Sequence, residues 1–161
     1  MDDQPMSKLK TVPVAELQAE VGKIFGPTEW IRITQDLVTR FAELTRDMSF
    51  IHTDPEVAAT TPLGGTVAHG ALTSSFCAWF LSQAGVLPEG IQMGLNYGTD
   101  RVRFITPVRT GKRIRARLKP MSFTETEPGQ ILMKYEITVE IEGEERPALV
   151  AEQLVLAVLA T

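Results

Sequence analysis

Asp47 and His52 stand five positions apart in the segment Arg46-Asp47-Met48-Ser49-Phe50-Ile51-His52, and the chain's only other histidine follows in Ala68-His69-Gly70. Imidazole ordinarily titrates nearest neutrality, so a carboxylate beside it supplies groups able to hold and move a proton. Gly70 opens an uncharged helical run, and the first amide of a helix is a fixed donor at the positive end of the helix dipole. An acid, a base and an anion-stabilising amide in one stretch point to proton-transfer chemistry on a substrate that develops negative charge. His69 has no acid at helical spacing, so it reads first as a hydrogen-bonded scaffold residue near the loop and second as a substrate contact.

The elements that position these residues follow from periodicity and punctuation. Pro13 and Gly22 bound a short amphipathic helix over Val14–Val21, and Trp30–Ile33 reads as a strand. Thr34 is a candidate N-cap for a helix with Asp36 in its first turn, an apolar stripe of Leu37, Phe41 and Leu44, and an end near Asp47. Asp54-Pro55 reads as an N-cap and first helical position of a turn through Ala59, and Pro62-Leu63-Gly64-Gly65 as a loop. Ala71–Ala84 carries no charge and closes at Gly85, expected in a C′ position; a helix apolar on every side is wrapped by something. The wrapper is a set of strands with one wet face. Val102 and Phe104 alternate with Arg101 and Arg103, Ile114, Ala116 and Leu118 with Arg113, Arg115 and Arg117, and Ile131 through Ile141 with Leu132 through Glu140. Leu149–Leu159, apolar on both faces, reads as a central strand. Turn signals at Thr110-Gly111, Pro128-Gly129 and Glu142-Gly143 suggest an antiparallel meander. The expected architecture is an α+β sheet curled around one helix.

A chain of 161 residues with 43% hydrophobic content suits one core, so a single domain over 1–161 is expected, with residues 1–24 partly an extra arm or helix. The start, Met1-Asp2-Asp3, lacks the basic and apolar character of a signal peptide, and no apolar run approaches the roughly 20 residues that span a bilayer. With one cysteine, Cys77, no intrachain disulfide or cysteine metal cluster forms, and the expectation is a cytoplasmic protein without metal or cofactor. Cys77 sits mid-helix among apolar neighbours and reads as a buried inert thiol; Asn96 and Tyr97, preceding a strand, read as packing and capping residues. Net charge is −4, which disfavours nucleic acid. Yet Arg101 to Lys119 holds eight basic residues and no acidic one, and the balance reverses after Pro120. Such a stripe is either a solvated sheet face or a contact for a small polyanion.

The order Asp-x4-His, then Asp-Pro, then Ala-His-Gly opening a buried helix resembles the MaoC-like dehydratases of the hot-dog fold, which include the (R)-specific enoyl-CoA hydratases. The strings Ile-His-Thr-Asp-Pro, Gly-Gly-Thr-Val-Ala-His-Gly and Asn-Tyr-Gly-Thr-Asp-Arg-Val-Arg-Phe-Ile are similar to the nodulation protein N branch, over roughly residues 25 to 158. The resemblance implies a homodimer that adds water across the C2–C3 double bond of a trans-2-enoyl thioester of CoA or acyl carrier protein. Asp47 and His52 would hold the water, with either as the base, and the Gly70 amide would meet the thioester oxygen. Arg101, Arg103, Arg109 and Lys112, from the basic stripe, are the candidates for the phosphates of such a ligand.

Three positions depart from the family pattern Gly-Asp-x-Asn-Pro-Leu/Ile-His: Arg46 replaces Gly, Ser49 replaces Asn and Phe50 replaces Pro. Arg46 is therefore expected to lose a positive φ. Two rivals follow. A hot-dog thioesterase would place a carboxylate on or near the central helix, where this chain has none between Gly70 and Gly85. A non-catalytic acyl-CoA-binding module would tolerate the three departures.

Overall fold

Alternating apolar residues give long strands with one face committed to the core. In the computed structural model, which describes residues 9–160, β5 (Arg113–Glu127) buries Ile114, Ala116 and Leu118, and β6 (Gln130–Ile141) buries every odd-numbered residue from Ile131 to Ile141. β7 (Leu149–Leu159) completes an antiparallel meander with them. Register shifts between Pro120 and Ser122, and between Glu125 and Glu127, bend β5. The resulting concave face receives the long helix.

The meander stops there. β4 (Ile91–Phe104) does not form a hairpin with β5 through Thr110-Gly111; it lies on the far side of β7, from Ile91 opposite Leu159 to Phe104 opposite Leu149. β2 (Ile31–Arg32) pairs with β5, and the sheet order is β2-β5-β6-β7-β4. Gly111 does turn the chain, at φ +88°. However, the second edge of β7 also presents N–H and C=O groups that need partners, and β4 supplies them. Residues 105–112 consequently cross from one side of the sheet to the other. Asn96 and Tyr97 lie inside β4 rather than before a strand, and the Gln153 amide donates to Asn96 Oδ1 at 2.6 Å.

Helix α4 (Gly70–Ala84) presses Leu72, Cys77, Phe80, Leu81 and Ala84 into the core. Its opposite face, Ala71, Ser75, Ala78 and Ser82, is exposed, so the helix is covered on one side and not wrapped all round. Gly85 is extended (φ −73°, ψ 179°) rather than left-handed. A Cβ there would stand 2.7 Å from the Leu81 carbonyl oxygen, so close approach, not a C′ conformation, accounts for the glycine. Burial pushes the Cys77 thiol up to about 12, in keeping with an inert side chain.

The first eight residues of the expected N-terminal arm lie outside the described residues. Beyond them, β1 (Lys10–Val12) pairs in parallel with β3 (Val86–Pro88), and Val14–Glu20 is a 3₁₀ helix entered from Pro13. Helix α1 (Gln35–Thr45) starts as expected, with the Thr34 hydroxyl accepting from the Leu37 amide at 3.2 Å. Its buried positions are Val38 and Ala42. Leu37 and Phe41 pack at the margin of the core, while Leu44 is 81% exposed. Short helices α2 (Phe50–Thr53) and α3 (Pro55–Ala59) follow, and the Asp54 carboxylate caps α3 by accepting from the Glu56 and Val57 amides. No helix among the described residues is long and apolar enough to cross a membrane.

Candidate active site

The turn that carries Asp47 begins where α1 ends. Arg46 adopts the left-handed conformation at φ +65°, contrary to the loss of positive φ expected for a non-glycine residue. Local propensity is overruled by the chain on either side, at a cost of about 1–2 kcal/mol. The other departures are accommodated as well. Ser49 occupies the cap position of α2, where its carbonyl accepts from the His52 amide at 2.9 Å; Phe50 takes the first helical position, whose amide has no helical partner in any case. Asp47 therefore projects from an exposed turn, and α2 turns His52 inward until it is only 8% exposed.

A short extended segment, residues 66–69, fixes the other side. The Val67 amide donates to the Ile51 carbonyl at 2.9 Å, and His52 Nδ1 donates to the Val67 carbonyl at 2.6 Å. A carbonyl only accepts, so the hydrogen must be on Nδ1 of a neutral His52, which leaves Nε2 as a lone pair. His69 stacks on His52 with ring centroids 3.7 Å apart and planes 25° from parallel, and its Nε2 donates to the Asp47 carbonyl at 3.0 Å. His69 is thus a scaffold residue to both members of the pair, and an acid does lie beside it: the Asp47 carboxylate is 4.0 Å from its Nε2.

One nitrogen or oxygen from each of Asp47, His52 and His69 lies within 4.8 Å of the others, a span that one water bridging two ordinary hydrogen bonds covers. As a metal-binding set the trio is poorly arranged. Ring lone pairs lie in the ring planes, and nearly parallel planes 3.7 Å apart do not converge on one ion.

Gly70 opens α4 directly after His69, and its amide, first in the helix, has no intrahelical acceptor. A Cβ at Gly70 would stand 2.9 Å from the Phe104 ring, so the glycine admits Phe104 to the helix N-terminus. His52, Gly70, Thr73, Phe104, Thr106 and Val108 line a cleft of about 370 Å³. The site thus offers a ring nitrogen lone pair, an exposed carboxylate nearby and a helix-opening amide beside a mainly apolar hollow.

The basic candidates divide. Arg109 and Lys112 border an adjoining hollow of about 330 Å³ that shares Val67, Thr106 and Pro107 with the cleft. Lys112 is held by Glu144 at 3.2 Å. Arg101 and Arg103 alternate with Val102 and Phe104 along β4; since Phe104 lines the cleft, neither arginine faces it within one chain. The rest of the stripe is a solvated face: Arg113, Arg115, Arg117 and Lys119 pair across the sheet with Glu142, Glu140 and Glu136. Sequence reasoning missed Gln35, Thr66 and Thr110, which stand behind His52. No spacing rule links positions so far apart along the chain.

A curled antiparallel sheet whose concave face holds a long helix is the hot-dog fold. The chain belongs to the family described as "MaoC like domain", whose profile matches residues 16–142. It is 41% identical to Nodulation protein N of Rhizobium leguminosarum bv. viciae over 144 residues, covering 89% of each chain. It is 39% identical to 3-hydroxyacyl-thioester dehydratase Z of Mycobacterium tuberculosis over 142 residues, 88% of this chain and 93% of that one. The solved (R)-hydratase from A. caviae involved in PHA biosynthesis superposes with a TM-score of 0.68 at 25% identity, covering 84% of this chain and 95% of that one.

Proposed function

We propose that the protein adds water across the C2–C3 double bond of a trans-2-enoyl thioester, giving an (R)-3-hydroxyacyl thioester, and catalyses the reverse elimination. The observation that carries this reading is the pairing, at one cleft, of the His52 Nε2 lone pair with the Gly70 amide. Asp47 and His52 hold a water. As its oxygen bonds to C3, the pair takes one of its protons, at the His52 Nε2 lone pair or the Asp47 carboxylate, and returns that proton to C2 from the same side. The π electrons pass through an enolate-like state on the thioester oxygen, where the Gly70 N–H and the α4 dipole meet the developing charge. The dyad ends with as many protons as it began, and one water has been added.

The (R) configuration rests on the likeness to the A. caviae hydratase, and the thioester substrate also on that to dehydratase Z. Arg109 and Lys112 would receive the phosphates of CoA or of an acyl carrier protein in the hollow next to the cleft. The chain would act as a homodimer. β4 is a long sheet edge with exposed Met93, Leu95 and Tyr97, and the uncovered face of α4 is a second surface for a partner. Arg101 and Arg103 would then contact a ligand only across the dimer. A cytoplasmic location fits the single buried thiol. The absence of a carboxylate on α4 disfavours thioester hydrolysis.

The test is hydration of crotonyl-CoA followed at the thioester absorbance, with chiral analysis of the product and light scattering of the enzyme. Turnover to the (R)-alcohol by a dimer is expected. Thioester binding without turnover would make the chain a binding module, and free CoA would make it a thioesterase.

A further inference from the structure

A chain of side-chain hydrogen bonds runs from the crossing loop 105–112 to the back of His52, outside the cleft. Thr110 and Thr66 share a hydroxyl contact of 2.8 Å, Thr66 Oγ1 meets Gln35 Oε1 at 2.5 Å, and Gln35 Nε2 meets the His52 carbonyl at 2.7 Å. Its direction follows from chemistry. The His52 carbonyl only accepts, so the Gln35 NH₂ must face it and the Gln35 oxygen must face Thr66. The single hydroxyl hydrogen of Thr66 is then committed to Gln35, and Thr110 must supply the hydrogen between the two threonines. Thr66 is buried at 3% exposure, and the Thr110 amide donates to the Thr66 carbonyl at 2.9 Å.

We infer that Gln35 is a positioning residue for His52, and that Thr66 and Thr110 hold Gln35 in the orientation in which it donates. α2 is four residues long, and its cap, Ser49, makes no side-chain capping bond. His52 is otherwise held at its ring by the Val67 carbonyl and the stacked His69, and at its amide by Ser49. The Gln35 contact fixes the third point, its carbonyl, and three points determine the direction of Nε2. Gln35, the first residue of α1, also has a local partner, Thr39 Oγ1 at 3.2 Å, but that bond alone would not require the buried Thr66–Thr110 relay. The effect on turnover rests on the proposed hydration; the effect on the His52 ring does not.

Three variants of the full chain test this: Gln35→Glu, nearly isosteric but with no hydrogen to give as a carboxylate; Thr110→Val, remote from His52; and the double variant. Two readouts are independent, steady-state hydration of crotonyl-CoA and ¹⁵N NMR of the His52 ring. Gln35→Glu is expected to lower kcat by about 10- to 100-fold with KM within about twofold, the scale of misplacement by a fraction of an ångström to one ångström. The His52 Nδ1–H signal should shift or broaden. Thr110→Val should move both readouts the same way by less, and the double variant should be no worse than Gln35→Glu, since one chain is broken only once. A Gln35→Glu protein with native Tm, native His52 signals and unchanged kcat would overturn the inference. So would a loss of kcat that disappears when corrected for the folded fraction. If Gln35→Glu does not fold, Thr110→Val decides by the same criteria. If the wild-type chain hydrates nothing, the NMR arm alone decides the positioning role, and the failure belongs to the proposed reaction.

Discussion

The outer face of β5 and β6 and the cleft at the N-terminus of α4 both carry ionisable groups, but they use them in opposite ways. On the outer face, Arg115 and Arg117 both meet Glu140 at 2.7 Å, Lys119 meets Glu136 at 2.8 Å, and Lys134 lies between Asp100 and Glu152. Trp30 covers Arg115, with the guanidinium carbon 4.5 Å from the ring centre. A hollow of about 780 Å³ opens there, larger than the cleft, yet its arginines on β5 are already paired, Arg113 with Glu142 and Arg115 and Arg117 with Glu140. At the cleft there are fewer ionisable groups, and some hydrogen-bonding capacity is left unspent: the second nitrogen of His52 and the first amide of α4. Unused capacity, rather than charge density or cavity size, separates the proposed site from the decorated surface.

The sharpest way to break this contrast is to remove the unspent groups. Asp47→Asn and His52→Ala should each reduce hydration of crotonyl-CoA by about 10²- to 10⁴-fold. Asp47 is exposed, so its variant should melt like the parent. His52→Ala strips the Val67 carbonyl of its donor and should lower stability by about 1–3 kcal/mol, read by denaturant titration. Wild-type rates in either would remove the dyad from the mechanism.

Next in size is Gly70→Pro, which deletes one amide hydrogen. His69, at φ −58° and ψ 139°, already has the extended conformation that precedes proline, so the backbone accepts the change. The ring would crowd Phe104, and a Phe104→Leu background separates steric cost from the lost donor. Relative to that background, kcat should fall by about 10²- to 10³-fold. An unchanged kcat would place the oxyanion donor elsewhere.

The outer face should respond to pH and not to substrate. Burial pushes the Glu140 carboxyl up, but Arg115 and Arg117 outweigh it and hold it below the usual carboxylate value of 4.5. A folded value below the unfolded one means that the stabilisation is present above pH about 4.5 and is lost as pH falls through the folded value. Glu140→Gln should therefore lower Tm slightly at pH 7, by less than about 1 kcal/mol of stability, and flatten the acid limb of the Tm profile while kcat stays within twofold. A steep acid limb retained in Glu140→Gln would put the pH dependence on other carboxylates.

The smallest effect tests the boundary between the two regimes. Arg46→Gly should stabilise the fold by up to about 1 kcal/mol by relieving the left-handed backbone, with turnover retained. A loss of turnover with a gain in stability would show that the guanidinium serves the substrate.

Much of the sheet was legible because its information is local. Ile114 to Leu118 and Ile131 to Ile141 alternate without a break, and Asp54-Pro55 and Thr34 announce their caps. The pairing of β4 with β7 was not, since residues 104 and 149 meet only when a neighbour is needed on that side. β1 is three residues long, too short for any period to register. The order Asp-x4-His and Ala-His-Gly singled out residues that the fold brings together, but not the stacking of two histidines or the Gln35 relay. Those depend on where α1, α2 and the crossing loop come to rest. Arg46 shows the converse, a residue whose own preference gives the wrong backbone angle because its neighbours impose another.

The stacked histidines make His69 a spacer. One ring face sets where His52 stops, and one ring nitrogen sets where the Asp47 backbone stops, so the separation of Asp47 and His52 is gauged by a single rigid plate rather than by two independent loops. Errors in the 47–52 turn are then not passed in full to the gap between the two groups. A looser or shorter side chain at position 69 would widen the tolerance of that gap without touching either of the residues that define it.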